Sequence, residues 1–299
     1  MDKQDLIKKV YFDLGGFGSI RKTLEDARDK DKSIKYADVK TFFENNIEKT
    51  GKYRGTNSYV APEAYFEYQM DLAFFQDLKD PEGYNQALVM IDIFTKYAVM
   101  KPLKTKQGPE VFEAFKDLLK QMNKERMPDI LYTDNEGAFN YKKMEEFYKE
   151  HDIDHLVTLG HAPYVESFIK TIKNMIYKRV KELKGRWIEY VYPSIVTYNY
   201  KMKHSSHGMV PAEARKDVNY MSVYIRLHNK RKEERKYPEI KIGDTVKTFV
   251  KKDKLDKQHT PNWSNNRFEV LDIISKHNQK FYKIKDRDKL YLRSELLKV

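Results

Sequence analysis

The 299-residue chain contains no cysteine, which excludes disulfide bonds and every zinc site built on thiolates. Long apolar runs are also missing. No segment approaches the run of about 18 apolar residues that a membrane-spanning helix needs, and the N-terminus has no apolar signal region. We therefore expect a soluble protein that is not secreted.

The charge of the chain is strongly positive but unevenly distributed. A net charge of +12 and a pI of about 9.3 favour a polyanionic partner, either nucleic acid or an anionic membrane surface. Residues 61–165 carry a net charge of −7, whereas residues 201–299 carry +12. This pattern indicates an acidic pocket that concentrates cations, framed by surfaces that bind a polyanion. No basic amphipathic helix with a bulky apolar face supports the membrane alternative.

The pattern of apolar, polar and basic residues divides the chain into five segments. They are a helical domain at 1–50, a linker at 51–64, an α/β domain at 65–216, a basic connector at 217–239 and a small β-barrel at 240–299. Helices predicted at 17–30 and 33–49 resemble a helix-turn-helix, or form an ordinary helical hairpin. The α/β domain begins with three strands and continues with alternating helices and strands, which is typical of a sheet with antiparallel and parallel parts.

Three carboxylates stand out by their positions in the predicted elements. Asp71 lies near the end of the first strand, Asp134 ends the strand DILYTD, and Glu166 opens the helix predicted from His161 to Lys181. Ligands of α/β sheets gather at strand ends, so carboxylates that converge there would form a strongly negative site. Oxygen ligands without cysteine or histidine suit Mg²⁺ or Mn²⁺, and two such ions can promote phosphodiester displacement.

Each of these carboxylates, taken alone, also has an ordinary structural interpretation. In this interpretation Asp71 caps a turn and Asp134 opens an Asx turn in TDNEG. Glu166 is then an acidic residue in the first turn of a helix, where the helix dipole favours negative charge. Asp92 is a fourth acid within an apolar strand, and it shows that residue type alone does not select the site. Three histidines without a convincing metal-ligand partner are interpreted as structural or phosphate-contacting: His161, His204 and His207.

The order and context of these segments resemble the catalytic core of retroviral-type integrases, the ribonuclease-H-like Asp-Asp-Glu transposase family. The motifs that carry the resemblance are YFEYQMDLAFF, VMIDIFTKYAVMKPLKTK, ILYTDNEGAFN and APYVESFIKTIKNMI. Residues 134–139 are similar to the family's Asp-Asn-Gly-x-Glu-Phe element with the order changed, and residues 198–214 resemble its closing segment. Residues 261–299 resemble the C-terminal barrel of integrases from Maverick/Polinton elements and virophages.

The resemblance implies a fold and a chemistry. The fold is α/β, a ribonuclease-H-like catalytic core with an N-terminal helical domain and a small C-terminal β-barrel of Src-homology-3-like or chromodomain-like type. Asp71, Asp134 and Glu166 would be the catalytic residues and would hold two Mg²⁺ (or Mn²⁺) ions. Activated water would cleave beside the 3′ end of a mobile element or viral DNA, and the freed 3′-hydroxyl would attack target DNA. Asp92 would have a structural role.

The resemblance also implies contacts with double-stranded DNA, both element ends and target. Lys170 and Lys173 share a helix face with Glu166 and match the family's lysines at DNA ends, with solvated helix lysines as the alternative. The other positions expected to bind DNA are Lys178, Lys230, Arg231 and Lys232. The run HNKRKEERK, which contains the last three, is alternatively a nuclear-import signal or a solvated helix.

The remaining expectations concern partners and location. We expect a homo-oligomer on DNA, without a membrane or a small-molecule cofactor, and a nuclear location if the host is eukaryotic. Two other functions compete with DNA integration. One is a catalytically idle DNA-binding protein derived from an integrase, against which the complete acid triplet argues. The other is a nuclease of RNA–DNA hybrids, for which the helical domain and the barrel are unnecessary.

Two features depart from the family pattern. Sixty-two residues separate Asp71 and Asp134, which is ordinary, but only 31 separate Asp134 and Glu166. The second spacing is shorter than is typical and implies a shortened loop before the catalytic helix. The family's His-His-Cys-Cys zinc module cannot form without cysteine, and residues 1–50 stand in its place, as expected for the Maverick-like subgroup.

Overall fold

The computed structural model describes residues 2–46, 59–78, 80–123, 125–134, 136–157, 162–231, 235–250, 262–277 and 279–299. His161, Lys232 and most of the predicted linker lie outside these residues. The chain divides into two compact units, residues 1–53 and 54–298.

The N-terminal unit contains three helices in its described part: α1 (Lys3–Tyr11), α2 (Ile20–Arg28) and α3 (Tyr36–Asn46). The backbone N–H of Lys22 donates to the Ser19 hydroxyl at 3.3 Å, so Ser19 caps α2 as its residue type predicts. The sequence patterns located only α2 and α3. Helix α1 completes the core of this unit by burying Ile7 and Val10 against Phe42 of α3.

The second unit begins with a five-stranded mixed sheet, which confirms the predicted combination of antiparallel and parallel strands. Its strands are β1 (Glu67–Phe74), β2 (Gln86–Asp92), β3 (Ala98–Leu103), β4 (Ile130–Thr133) and β5 (Asp154–Val157). Their order across the sheet is β3-β2-β1-β4-β5. The first three strands form an antiparallel meander, while β4 pairs in parallel with β1 and with β5.

Helices cover both faces of this sheet. They are α4 (Gly108–Met122) and α5 (Lys142–Glu150) on one face, and α6 (Pro163–Leu183) and α7 (Val191–Tyr200) on the other. Side chains alternate along a strand, so Met70 and Leu72 of β1 pack with α4 while Ala73 packs with α6. Glu67, Gln69 and Asp71 share the parity of Ala73 and therefore lie on the face covered by α6.

The turn between β2 and β3 is organised around Asp92. Its carboxylate accepts hydrogen bonds from the backbone N–H groups of Tyr65 (3.1 Å), Phe94 (2.8 Å) and Thr95 (3.4 Å), and from the Thr95 hydroxyl (2.9 Å). Asp92 is 1% exposed, and this burial raises the pKa of its carboxyl group. The structure thus gives Asp92 the structural role expected of it.

The loop between α7 and α8 (Pro211–Ala214) is anchored to the same turn by His207. The imidazole is fully buried; Nε2 lies 2.9 Å from the Thr95 carbonyl oxygen, and Nδ1 accepts the backbone N–H of Met209 at 3.3 Å. These partners require a neutral ring that carries its proton on Nε2. Burial accordingly lowers the pKa of His207 to about 4, and the contacts support the structural interpretation of this residue.

We expect His207 to make the protein less stable in acid. Its pKa in the folded protein lies below the ordinary value of about 6.5, so the unfolded chain takes up the proton first as the pH falls. The stabilisation present above pH 6.5 is lost on the way to about pH 4 and amounts to at most about 3 kcal/mol. His207→Gln keeps a side-chain N–H donor but does not titrate.

Urea denaturation of the wild-type chain and His207→Gln at pH 7 and pH 5 measures this contribution. When the pH falls from 7 to 5, the wild-type chain should lose more unfolding free energy than His207→Gln, so the variant becomes more stable relative to the wild type. Titrating groups that His207 does not contact, such as Glu67, act alike in both proteins and cancel in the difference, whereas His204, whose ring stacks on that of His207, contributes to it. A difference that is the same at both pH values would show that His207 does not titrate in this way.

The C-terminal part of the second unit is a five-stranded antiparallel sheet in the order β10-β6-β7-β8-β9. Its strands are β6 (Thr245–Thr248), β7 (Phe268–Lys276), β8 (Gln279–Ile284), β9 (Leu290–Leu292) and β10 (Leu296–Lys298). Only the 3₁₀ turn Arg293–Glu295 joins β9 to β10, although these strands occupy opposite edges. A flat sheet would separate its edges by about 19 Å, whereas this connection spans at most about 15 Å. The sheet is therefore curved.

The basic segment expected as a connector begins with helix α9 (Tyr220–Asn229). Val223 and Leu227 of α9 are buried beside Ile93 and Phe94 of the β2–β3 turn. The apolar positions of α9 thus pack against the β2–β3 turn, and the helix is not a free link. Among the described residues, none of the helices combines the length and the apolar character needed to cross a membrane.

Candidate active site

The parallel pairing of β1 and β4 brings two of the predicted acids together. Met70 and Thr133 are register partners in this pair, and Asp71 and Asp134 each follow by one residue. Adjacent strands lie about 4.8 Å apart, and positions in the same register point to the same face. Asp71 and Asp134 thus occupy neighbouring positions on the face covered by α6, and both are half-buried.

Glu166 is brought towards Asp71 by a side chain of β1. The Gln69 carboxamide oxygen accepts the backbone N–H groups of Tyr164 at 3.1 Å and Val165 at 3.2 Å, both in the first turn of α6. Glu166 is the next residue and is exposed. Gln69 and Asp71 lie two residues apart on one face of β1, so the first turn of α6 is tied to the strand that carries Asp71.

The backbone near the acids shows some of the ordinary contacts that their sequence contexts predict. The N–H of Glu136 donates to Asp134 Oδ1 at 3.2 Å, which corresponds to the Asx turn expected in TDNEG. The N–H of Leu72 donates to Asp71 Oδ1 at 2.7 Å.

A metal site at these residues requires the three side chains to turn towards one another. No group of three or more His, Asp or Glu side chains that could share a metal ion is found in the described part of the chain. The donor set itself, three carboxylates, is chemically suited to Mg²⁺ or Mn²⁺. Asp71, Asp134 and Glu166 are thus placed in one region by the fold without forming a ready-made cluster.

The lysines predicted on α6 differ in their surroundings. Glu166, Lys170 and Lys173 are spaced by four and three residues, so they share one helix face. Lys170 is exposed. The Lys173 ammonium group donates to the Phe74 carbonyl oxygen at 2.6 Å and lies 5.4 Å from the Phe75 ring centroid. Lys173 therefore also fastens α6 to the end of β1.

The other predicted DNA-binding residues that the structure describes, Lys178, Lys230 and Arg231, are not gathered beside the acids. Lys178 is exposed, but it lies twelve residues after Glu166 and so about 120° around the helix. Lys230 and Arg231 follow α9, which packs at the β2–β3 turn, near the first residue of β1. The Lys230 ammonium group donates to the Ser205 carbonyl oxygen.

A buried charged group beneath α6 was not expected from the sequence. Lys96 is 2% exposed and its ammonium nitrogen lies 3.5 Å from the Tyr164 ring centroid. Burial lowers the pKa of Lys96 to about 7 and raises the pKa of Glu67, which is also buried, to about 8. The first turn of α6 is thus held both by the Gln69 hydrogen bonds and by a cation–π contact.

Comparison with known proteins identifies the α/β part of the chain. Residues 64–163 match the family model of the integrase core domain. The retrovirus-related Pol polyprotein from transposon 297 of Drosophila melanogaster is 26% identical over 148 residues, which is 47% of this chain and 13% of that protein. The corresponding polyprotein from transposon RE1 of Arabidopsis thaliana is 30% identical over 118 residues, 39% of this chain and 8% of that protein. The chain thus spans only a small part of these relatives.

A solved structure is similar over the whole chain. It is the cryo-EM structure of a simian T-cell lymphotropic virus intasome in complex with PP2A regulatory subunit B56 gamma. The TM-score to a chain of that complex is 0.63 at 10% identity, with 100% of this chain and 99% of the other covered. At this identity the similarity shows a shared fold.

Residues 64–163 thus match an integrase core domain, and the mixed sheet with helices on both faces has a ribonuclease-H-like fold. The resemblance to retroviral-type integrases, predicted from the acid-bearing motifs, is confirmed by this match and by the retrovirus-related polyproteins. The narrower assignment to Maverick/Polinton or virophage integrases stays a prediction.

Proposed function

We propose that this protein is a DNA integrase that processes the 3′ ends of a mobile element or viral DNA and joins them to target DNA. The observation that supports the proposal is that Asp71 and Asp134 lie within the segment that matches an integrase core domain, residues 64–163, and that Glu166 follows three residues after its end. Asp71 and Asp134 lie side by side on β1 and after β4, and Glu166 lies in a helix turn hydrogen-bonded to β1. In the proposed site, two strands and a helix supply the three carboxylates.

The proposed cofactor is a pair of Mg²⁺ or Mn²⁺ ions held by Asp71, Asp134 and Glu166. Bound ions of this kind supply an activated oxygen nucleophile and stabilise a leaving oxygen. The side chains of the protein would orient the DNA and offset the negative charge of its phosphates. Lys170, exposed on the helix face of Glu166, is suited to hold a phosphate beside the acids, while Lys173 keeps α6 against β1.

We further propose that basic surfaces outside the acid site hold the DNA backbone. The candidates are Lys178, Lys230, Arg231 and Lys232, together with residues 201–299, whose net charge is +12. Contacts of this type position DNA without reading its sequence. The curvature of the C-terminal sheet supports a small barrel of Src-homology-3-like or chromodomain-like type, and the predicted domain boundaries are part of this proposal.

The proposed assembly is a homo-oligomer on double-stranded DNA, since two element ends must be joined to one target. The proposed location is the nucleus if the host is eukaryotic.

A strand-transfer assay tests the function. Purified protein is incubated with Mg²⁺ or Mn²⁺, labelled duplexes carrying the terminal repeats that flank the gene, and a supercoiled target plasmid. Labelled 3′ ends covalently joined to the plasmid are the expected product. A parallel reaction contains an RNA–DNA hybrid. Hybrid cleavage without joining would identify a nuclease, and DNA binding without either reaction would identify an idle derivative.

A further inference from the structure

One buried amide bridges the core sheet and the helix that carries Glu166. Gln69 is 4% exposed, and its carboxamide oxygen accepts two backbone N–H groups of α6, those of Tyr164 and Val165. The contact joins residues 95 and 96 positions apart in the sequence. It is therefore a tertiary cap, supplied by the sheet to a helix that begins elsewhere in the chain.

Among the described residues, the start of α6 offers no local substitute for this cap. A helix start leaves backbone N–H groups without intrahelical partners. Pro163, the first helical residue, has no N–H, and Ala162 before it has no side chain able to accept one. The N–H of Glu166 is already bonded to the Ala162 carbonyl oxygen at 3.0 Å. The two N–H groups that remain are those bound by Gln69.

The position of this cap connects it to the acid site. Gln69 and Asp71 lie two residues apart on β1, on the face covered by α6, and Glu166 directly follows Val165. Strand β1 is rigid, and the cap fixes the first turn of α6 to it. The backbone positions of Asp71 and Glu166 therefore have little freedom to move relative to each other. This link runs through the sheet and does not depend on the shortened chain between Asp134 and α6.

We propose that Gln69 is a positioning residue that sets the distance between Glu166 and Asp71. The proposal deepens the proposed integrase function, since the spacing of these acids matters for catalysis only if both act in one site. The Gln69 side chain itself takes no part in the chemistry. Its effect passes through the backbone of Tyr164 and Val165.

Three variants separate positioning from general packing. Gln69→Leu keeps the approximate size but removes the acceptor, whereas Gln69→Glu keeps an acceptor at the same reach and suits a helix N-terminus. Gln86→Leu is the matched control, because Gln86 is also 4% exposed and lies on the neighbouring strand β2. Circular dichroism and thermal unfolding establish that each variant is folded.

The first readout needs neither metal nor DNA. Because the chain lacks cysteine, Asp71→Cys and Glu166→Cys together create a unique thiol pair for a short bifunctional reagent. Gln69→Leu should slow intramolecular cross-linking of this pair and speed amide exchange at Tyr164 and Val165, each by about tenfold or more. Gln69→Glu should restore the protection of both amides, and Gln86→Leu should leave both measurements unchanged.

The second readout is the joining reaction with Asp71 and Glu166 intact. A displacement of about 1 Å in a catalytic group lowers rates by about 100-fold, so Gln69→Leu should lower kcat by about that factor while the Kd for DNA stays unchanged. Wild-type rates of cross-linking and exchange in Gln69→Leu, or equal losses in Gln69→Leu and Gln86→Leu, would overturn the proposal. An inactive wild-type chain with the expected cross-linking would instead refute the integrase function and leave the positioning intact.

Discussion

Asp71→Asn, Asp134→Asn and Glu166→Gln are each expected to lower strand transfer by about 10³-fold or more, which corresponds to about 4 kcal/mol of transition-state stabilisation. Each change preserves the size of the side chain but removes a negative charge from the proposed metal site. A neutral amide is a much poorer ligand for a hard divalent cation than a carboxylate is. The measurement is the initial rate of joining at saturating Mg²⁺.

Glu182→Gln provides the matched control for these three variants. Glu182 is exposed near the C-terminal end of α6, four turns away from Glu166, so the same loss of charge should leave the rate unchanged. DNA binding, measured by fluorescence anisotropy, should stay within about twofold of wild type in all four proteins, because phosphate contacts dominate it. Joining that survives in any of the three acid variants would refute the assigned catalytic set.

Asp92→Ala is expected to lower the free energy of unfolding by about 4 kcal/mol. The carboxylate of Asp92 accepts hydrogen bonds from Phe94 and Thr95 of the β2–β3 turn and from Tyr65, which precedes β1. Alanine would leave these buried donors without their acceptor, and each unsatisfied group costs about 1–3 kcal/mol. Urea denaturation followed by circular dichroism measures the loss.

Asp117→Ala is the control for Asp92→Ala. Asp117 pairs with Lys101 at the protein surface, where both side chains are substantially exposed. Exposed ion pairs contribute about 0–1 kcal/mol, so this variant should unfold close to the wild-type midpoint. If Asp92→Ala were as stable as Asp117→Ala, the N–H and hydroxyl groups that Asp92 accepts would have other acceptors in the variant.

The mixed sheet was predictable because its elements have strong, distinct periodicities. The helix at α4 follows from an apolar stripe that includes Val111, Phe115 and Leu118, all of which are buried. Asp134 and Glu166 were predictable as candidates because they stand at the end of β4 and in the first turn of α6, whereas Asp71, predicted near the end of its strand, lies inside β1 (Glu67–Phe74). The motifs around them also resemble a known family, and the family model matches residues 64–163, which include Asp71 and Asp134 but not Glu166.

Other features depended on contacts that no local pattern contains. The role of Gln69 arises only when a strand and a helix some 95 residues apart are packed together. Lys96, a charged residue at a turn, would normally be expected in solvent, yet tertiary packing buries it against Tyr164. Helix α9 lies in a segment that was predicted to be a basic connector because of its lysines and arginines. The sequence pattern did not indicate that Val223 and Leu227 are buried.

The tertiary cap on α6 has a consequence for how such chains tolerate insertions and deletions. If Gln69 sets where the helix begins relative to β1, the stretch between the end of β5 at Val157 and Pro163 only has to be long enough to bridge these two elements. Lineages can then gain or lose residues in that segment without disturbing the relation of Glu166 to Asp71. The short interval of 31 residues in this chain is, on this view, a neutral length variation and not a mark of a decaying site.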